Sequence, residues 1–506
     1  MKTTRYQLPT FSGLSTAQLW PLIVLAGFAF MVSLVPLAPN DFWWHLKIGE
    51  IVFTQGYVPE TNLFGWTLPA DAPFFYGAWL GEYLLYVLYH GGQLALVTFA
   101  RNVMIVAAYW LVAYESVRRS RSWRLAALAV AVVALSTINN MIVRPQIWSW
   151  LPFMGFLVLL SRYADRQLRR RWLLALPLIM VFWVNAHGAF ITGLVMIGIF
   201  FVGEAVRTAL KAEGALRWQQ VAWIGAIGLL CGLATVINPR FFDIFAYVQD
   251  LMTDRPSQRL IEEWQSPTPT GIANGVFYAS ILLLLAAFAY TRYRPTPSDV
   301  LLLGGFLWLA WSGQRYVIWF EMIALPIICQ ALAALPVKMP RLIPQKNRLN
   351  ALLAALLFVP VLMVQPWFVE NVPLPERYWA IVQRHAPAGP LIDRATPLGA
   401  AEYLRQHPGG KLFQEMGYGS YLIWAVPEQG VFIDPRVELY PYEQWQDYIE
   451  INRGYRHNEL LETYGADRIL LDKNIQAQLA GALANDPLWK MEYEDAISQI
   501  WRRVQP

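Results

Sequence analysis

The sequence predicts a polytopic α-helical membrane protein carrying a small α/β domain at its C-terminal end. Of its 506 residues 56% are apolar and only 15% charged, and the mean hydropathy is positive. Apolar runs able to cross about 30 Å of hydrocarbon recur along the chain. They stop near residue 366, after which charge rises. The 23 Trp and 24 Tyr suit interfacial belts, where an apolar ring and a polar tip each find their medium. The net charge of +5 gathers in short connections between apolar runs, which is loop charge and not a nucleic-acid footprint. Cys231 and Cys329 lie inside apolar runs, so they form no disulfide framework and say nothing of redox compartment.

The first span is expected at 18–38, behind Lys2 and Arg5. It reads as an uncleaved anchor, because the apolar part of a cleaved signal is usually shorter, and it places the N-terminus in the cytoplasm. Further spans are expected at 93–115, 124–141, 146–162, 172–187, 190–208, 219–237, 275–291, 299–313, 316–335 and 349–365, about eleven in all. Positive-inside counting agrees with this alternation. Arg118, Arg119, Arg121 and Arg124 fall on the cytoplasmic side with Arg166, Arg169, Arg170 and Arg171. Arg207, Lys211, Arg292, Arg294, Lys338, Arg341, Lys346 and Arg348 join them. The opposite face receives 39–92, the turn Arg144-Pro145-Gln146, Asn185-Ala186-His187-Gly188, the loop 238–274, Gln314-Arg315 and everything after about 366.

Residues 1–366 are therefore expected to form a transmembrane domain and 367–506 an extracytoplasmic α/β domain. The first outer loop, 39–92, is polar at its start but rich in Trp and Tyr, and is expected to lay amphipathic helices along the outer leaflet. Residues 79–90 are too short to span, reaching only some 18 Å. In the C-terminal part, strand candidates at 411–413, 430–433, 468–471 and 497–504 alternate with helix-like pieces at 399–406 and 474–484.

Several motifs share the outer side: Asp41-Phe42-Trp43-Trp44-His45-Leu46, Trp79-Leu80-Gly81-Glu82, Arg144-Pro145-Gln146, Asn185-Ala186-His187-Gly188 and Ile433-Asp434-Pro435-Arg436. With an acid just past the first span, an aromatic first outer loop and an outward C-terminal domain, the arrangement resembles the GT-C class of membrane glycosyltransferases. It is similar in particular to a poorly characterised bacterial group related to that class. The resemblance covers most of the chain. It implies transfer of a sugar from a polyprenyl-phosphate-linked donor to a lipid, glycan or protein acceptor at the outer face of a bacterial cytoplasmic membrane. Such chemistry needs a carboxylate for the incoming hydroxyl and cations for the leaving phosphate.

The resemblance implies that Asp41 is the catalytic base; the residues alone read equally as an N-cap of the helix that starts there. His45, four residues on, would share a face with Asp41 and orient it or touch phosphate, against a bond to a backbone carbonyl. Trp44 offers a face for sugar stacking, and belt anchoring is its alternative. Glu82 is a second outer acid, for acceptor or metal, unless it is a solvated residue of an amphipathic helix. Arg144, beside a helix start with free N–H groups, pairs with Arg315 as a carrier-phosphate clamp; snorkelling to headgroups is the alternative. His187 sits in a tight outer turn, where a structural role suffices. Glu262, Glu263 and Trp264 lie in the long outer loop, with Glu263 a substrate candidate.

Asp434 and Arg436, at the end of a strand candidate where ligands often bind, read as an internal ion pair, and Gly417-Tyr418-Gly419-Ser420 lacks the context of a phosphate loop. The dispersed histidines show no zinc spacing; a divalent metal on Asp41 and another acid is possible but unsupported by spacing. The partners expected are the lipid-linked sugar and membrane lipids, with no nucleic acid. Two other functions fit the class: a non-catalytic subunit that keeps this frame as a scaffold, and a transporter or flippase. The second would place ionisable groups at mid-membrane and broken helices in paired repeats.

Overall fold

The computed structural model describes residues 14–335, 347–365, 367–368 and 391–504. Lys2, Arg5, Lys338, Arg341 and Lys346 lie outside these, as does most of the passage between the two expected domains. Every expected span coincides with a helix: α1 (Thr16–Ser33), α3 (Trp79–Ser120), α4 (Trp123–Ser136), α5 (Ile147–Ala164), α6 (Ala175–Ala186), α7 (Phe190–Ala209), α8 (Trp218–Ala234), α11 (Gly271–Tyr290), α12 (Pro297–Ser312), α13 (Val317–Ala333) and α14 (Asn347–Met363). By length and composition, six helical segments among the described residues suit a membrane crossing. Buried Trp150, Phe153, Trp183 and Trp319 fill the centre of this bundle. At the end away from the C-terminal domain, Glu115 accepts from Arg118 and Arg119, and Arg119 reaches Asp299 of α12 at 2.9 Å.

The first outer loop departs from its expected form. Its helix α2 (Phe42–Gln55) is covered by protein: Trp43 and Trp44 are 2% and 8% exposed, and Phe42, Leu46, Ile48 and Val52 are buried too. The reason is a second layer, since α2 is sandwiched between α3 and the C-terminal helix Met416–Ala425. Helix α3 starts well before its expected span and breaks at the start of that span, at Gly92 and Gln93, the latter at φ 52°. The long outer loop holds α9 (Asp243–Thr253), α10 (Arg255–Leu260) and a 3-10 turn at Glu262–Trp264.

Gly49 makes the α2–α3 crossing close, because a Cβ there would lie 2.1 Å from the Glu82 carbonyl oxygen. Gly49→Ala is expected to push the helices apart and destabilise the protein by about 1–3 kcal/mol. Thermal unfolding in detergent checks it, and a variant that melts with the wild type would contradict the crossing.

In the C-terminal part, β1 (Leu412–Gln414), β2 (Arg468–Asp472), β3 (Trp489–Glu494) and β4 (Ser498–Arg503) form one sheet in the order β1-β2-β4-β3. β1 and β2 are parallel and the other pairs antiparallel. The expected strand at 430–433 is instead a segment leaving Gly430 at φ 65° and joined to Gly65 by a single bridge. It pairs with the first outer loop, through Trp66 N to Val431 O (3.0 Å) and Val431 N to Phe64 O (2.9 Å), and so cannot join the sheet. Strand β3, with mixed polar and apolar residues, was not among the expected strands.

Candidate active site

Asp41, Trp44, His45, Glu82, Arg144, His187, Glu263 and Arg315 all line one cavity of about 560 Å³. It lies where the bundle meets the C-terminal domain, whose Met416 and Pro435–Glu438 contribute one wall. A larger groove of about 780 Å³, edged by Leu233, Ile237, Phe241 and Phe242, has no titratable lining residue. The titratable candidates therefore gather in the smaller space.

Asp41 occupies the N-cap position of α2 at φ −48°, ψ −31°, yet its side chain makes no capping bond. Instead its Oδ2 lies 3.7 Å from Arg144 Nη1. Burial raises the Asp41 pKa, and Glu263 adds to this; Arg144 and Arg315 pull the other way without cancelling it.

Arg144 and Arg315 converge on Glu263. Arg144 meets its two oxygens at 3.1 and 2.9 Å, and Arg315 Nη1 lies 3.4 Å from Oε1. Arg315 also lies over the Trp264 ring at 4.2 Å, a cation–π contact. Burial alone would raise the Glu263 pKa, but the two guanidiniums outweigh it and hold it at about 2. Arg144 is buried rather than snorkelling. The N–H groups expected to be free beside it are not: Ile147, Trp148 and Ser149 donate to the carbonyls of Arg144, Pro145 and Gln146. A turn wound through Arg144–Gln146 takes up these donors, so any anion binding here falls to the guanidiniums.

His45 does not orient Asp41. Its Nδ1 lies 2.7 Å from Glu82 Oε1, and Trp44 covers its ring at 3.6 Å between centroids. Glu82 is 1% exposed, so the solvated reading fails, because the close α2–α3 crossing carries it under α2. Burial drives the His45 pKa well below its usual value, and the guanidiniums of Arg144 and Arg436 add to this. The other Glu82 oxygen, Oε2, is buried without a hydrogen-bond partner among the described residues.

His187 Nδ1 accepts from Ala189 N at 3.1 Å and lies 3.0 Å from Ser149 Oγ, which itself accepts from Trp183 Nε1. A backbone N–H can only donate, so the proton of the neutral ring sits on Nε2. These contacts fix the ring in the turn, and it also lines the cavity.

Arg436 also lines the cavity, as do Glu438 and Tyr247, which do not stand out in the sequence. Arg436 forms the expected pair with Asp434 at 2.7 Å, both fully buried. Glu438, two residues beyond, is pushed by burial to about 7. Tyr247 lies on α9, stacked on Phe75 at 4.4 Å. The only local signal for Glu438 was an acid closely following Asp-Pro-Arg. Among the described residues no group of three or more His, Cys, Asp or Glu is placed to hold a metal.

No family profile matches the chain, and no curated protein matches it. Solved structures do. The oligosaccharyltransferase AglB from Archaeoglobus fulgidus, in complex with an inhibitory peptide and a dolichol-phosphate, is similar over 96% of this chain and 74% of its own, at TM-score 0.50 and 13% identity. ArnT from Cupriavidus metallidurans, bound to undecaprenyl phosphate, is similar over 97% of this chain and 99% of its own, at TM-score 0.51 and 14% identity. The arabinofuranosyltransferase AftD from Mycobacteria is similar over 97% of this chain but 40% of its own, at TM-score 0.54 and 16% identity. The chain has the GT-C membrane fold, with a small C-terminal sheet domain.

Proposed function

We propose that this membrane protein is a glycosyltransferase that moves a sugar from a polyprenyl-phosphate-linked donor to a lipid, glycan or protein acceptor at the extracytoplasmic face of a bacterial cytoplasmic membrane. One observation carries the reading: a carboxylate not engaged in capping, Asp41, stands beside the guanidiniums of Arg144 and Arg315 in one cavity. In this scheme Asp41 takes the proton of the acceptor hydroxyl as its oxygen bonds to the anomeric carbon. The anomeric C–O bond breaks and its electron pair stays on the carrier phosphate, whose charge Arg144 and Arg315 stabilise. ArnT and AglB were solved with polyprenyl phosphates, undecaprenyl phosphate and dolichol-phosphate, which supports a carrier of that class. Residues 1–366 then act as the membrane domain and 367–506 as the outer domain. The cavity of about 560 Å³ around these residues weighs against a pure scaffold.

Glu263 sits between the two arginines as a carboxylate where the carrier phosphate would bind. Arg144→Gln is expected to raise KM for the lipid-linked donor roughly tenfold to a hundredfold, the loss of a charge-assisted hydrogen bond. An unchanged KM would remove Arg144 from the phosphate site. The function as a whole is tested by giving the purified protein labelled lipid-linked sugars with candidate acceptors. Transfer from a polyprenyl-phosphate sugar is expected; inertness with every such donor overturns it.

A further inference from the structure

A helix N-terminus leaves backbone N–H groups without partners, and an aspartate at the N-cap ordinarily accepts from one of them. In α2 two of those donors are met without the Asp41 side chain. Phe42 N donates to Asn40 Oδ1 at 3.3 Å. Trp44 N, the donor an N-cap side chain normally takes, donates to Ser420 Oγ at 3.2 Å. Ser420 belongs to the C-terminal helix Met416–Ala425, is fully buried, and donates its own proton to the Asn40 carbonyl at 2.5 Å. One hydroxyl therefore bridges both sides of Asp41. The approach is enforced by Gly417, where an added Cβ would lie 2.4 Å from the Pro39 carbonyl oxygen. The stretch Gly417-Tyr418-Gly419-Ser420 is thus a docking surface for the Asp41 turn.

We propose that Ser420 is a positioning residue: by capping α2 from the C-terminal domain, it holds the Asp41 turn helical and leaves the carboxylate turned to the cavity for proton transfer. The claim rests on the glycosyltransferase reading only in the use made of the carboxylate. Without the hydroxyl, residues 40–41 relax to the extended backbone of an ordinary N-cap, and Asp41 accepts from Trp44 N. A carboxylate receiving that N–H is stabilised in its charged form. The other charges facing Asp41 stay in place: Arg144 before α5, Arg315 before α13, Glu263 in the outer loop and Glu438 in the C-terminal domain, with Glu415 and Asp472 across the adjoining crevice.

The test compares the wild type with Ser420→Ala and Ser420→Thr in the full-length protein. Ser420→Ala is expected to lower kcat about tenfold with KM for donor little changed, since a cap is worth on the order of 1 kcal/mol. The acid limb of its pH–rate profile moves to lower pH, and Ser420→Thr restores both. Labelling of Asp41 by a water-soluble carbodiimide, read by mass spectrometry against pH, supplies a readout independent of transfer. Its midpoint is expected to fall in Ser420→Ala and return in Ser420→Thr. An unmoved midpoint in a variant that melts like the wild type overturns the proposal. If the wild type transfers no sugar, the function falls, and the labelling still decides the cap.

Discussion

Asp41→Asn is expected to lower sugar transfer by roughly 10²–10⁴-fold while leaving binding of the lipid-linked donor near the wild-type value, the signature of a lost base. The amide cannot accept the hydroxyl proton, but it matches the carboxylate in size. Because Asp41 makes no capping bond, the substitution removes none from α2 and should change stability little. The wild-type pH profile sharpens the assignment. Burial lifts the Asp41 pKa above its ordinary value, against the pull of Arg144 and Arg315. A base works when ionised, so activity should rise with pH through that raised value, giving an acid limb above the usual aspartate range. Single-turnover transfer across pH, beside equilibrium donor binding, checks both halves. Transfer equal to wild type would remove Asp41 from the chemistry.

Much of the site was legible because a charge in an apolar chain stands out. Asp41, Arg144, Glu263 and Arg315 each sit at the end of an apolar run or in a loop, and alternation of spans brings such ends to one face. What was not legible are contacts between distant stretches. Glu82 reads as solvated until α2 is known to cross α3 at Gly49, 37 residues separating it from its partner His45. Asp41 reads as an N-cap by every local rule. That role is filled by Ser420, 376 residues from Trp44. The cover over α2 was hidden for the same reason: Trp43 and Trp44 have the composition of a membrane belt, but the C-terminal domain packs over them. In the C-terminal part, 430–433 has the composition of a strand, and its backbone groups were claimed by the first outer loop.

The largest effect on stability is expected from Asp434→Ala. The Asp434 carboxylate accepts from Arg436 N and Nε at 2.9 Å each, Arg436 Nη2 at 2.7 Å and the Tyr440 hydroxyl at 2.5 Å, all buried. Arg436 in turn donates to Tyr76 at 3.0 Å and lies over the rings of Phe64 and Phe74, so it ties the first outer loop to the C-terminal domain. Burial works against the charge on Arg436, and Asp434 more than offsets it. Removing the acid alone strands a buried guanidinium, a loss of about 3–5 kcal/mol. Asp434→Ala combined with Arg436→Met should recover part of this, because no unpaired charge then remains. Denaturant unfolding in detergent measures both variants, and a shift within about 0.5 kcal/mol of wild type for Asp434→Ala would show that the pair adds nothing. The loss should also reach the site. Undocking the C-terminal domain withdraws Ser420 from α2, so Asp434→Ala loses stability and transfer together. Ser420→Ala, which leaves the ion pair intact, is expected to lose transfer with little change in melting.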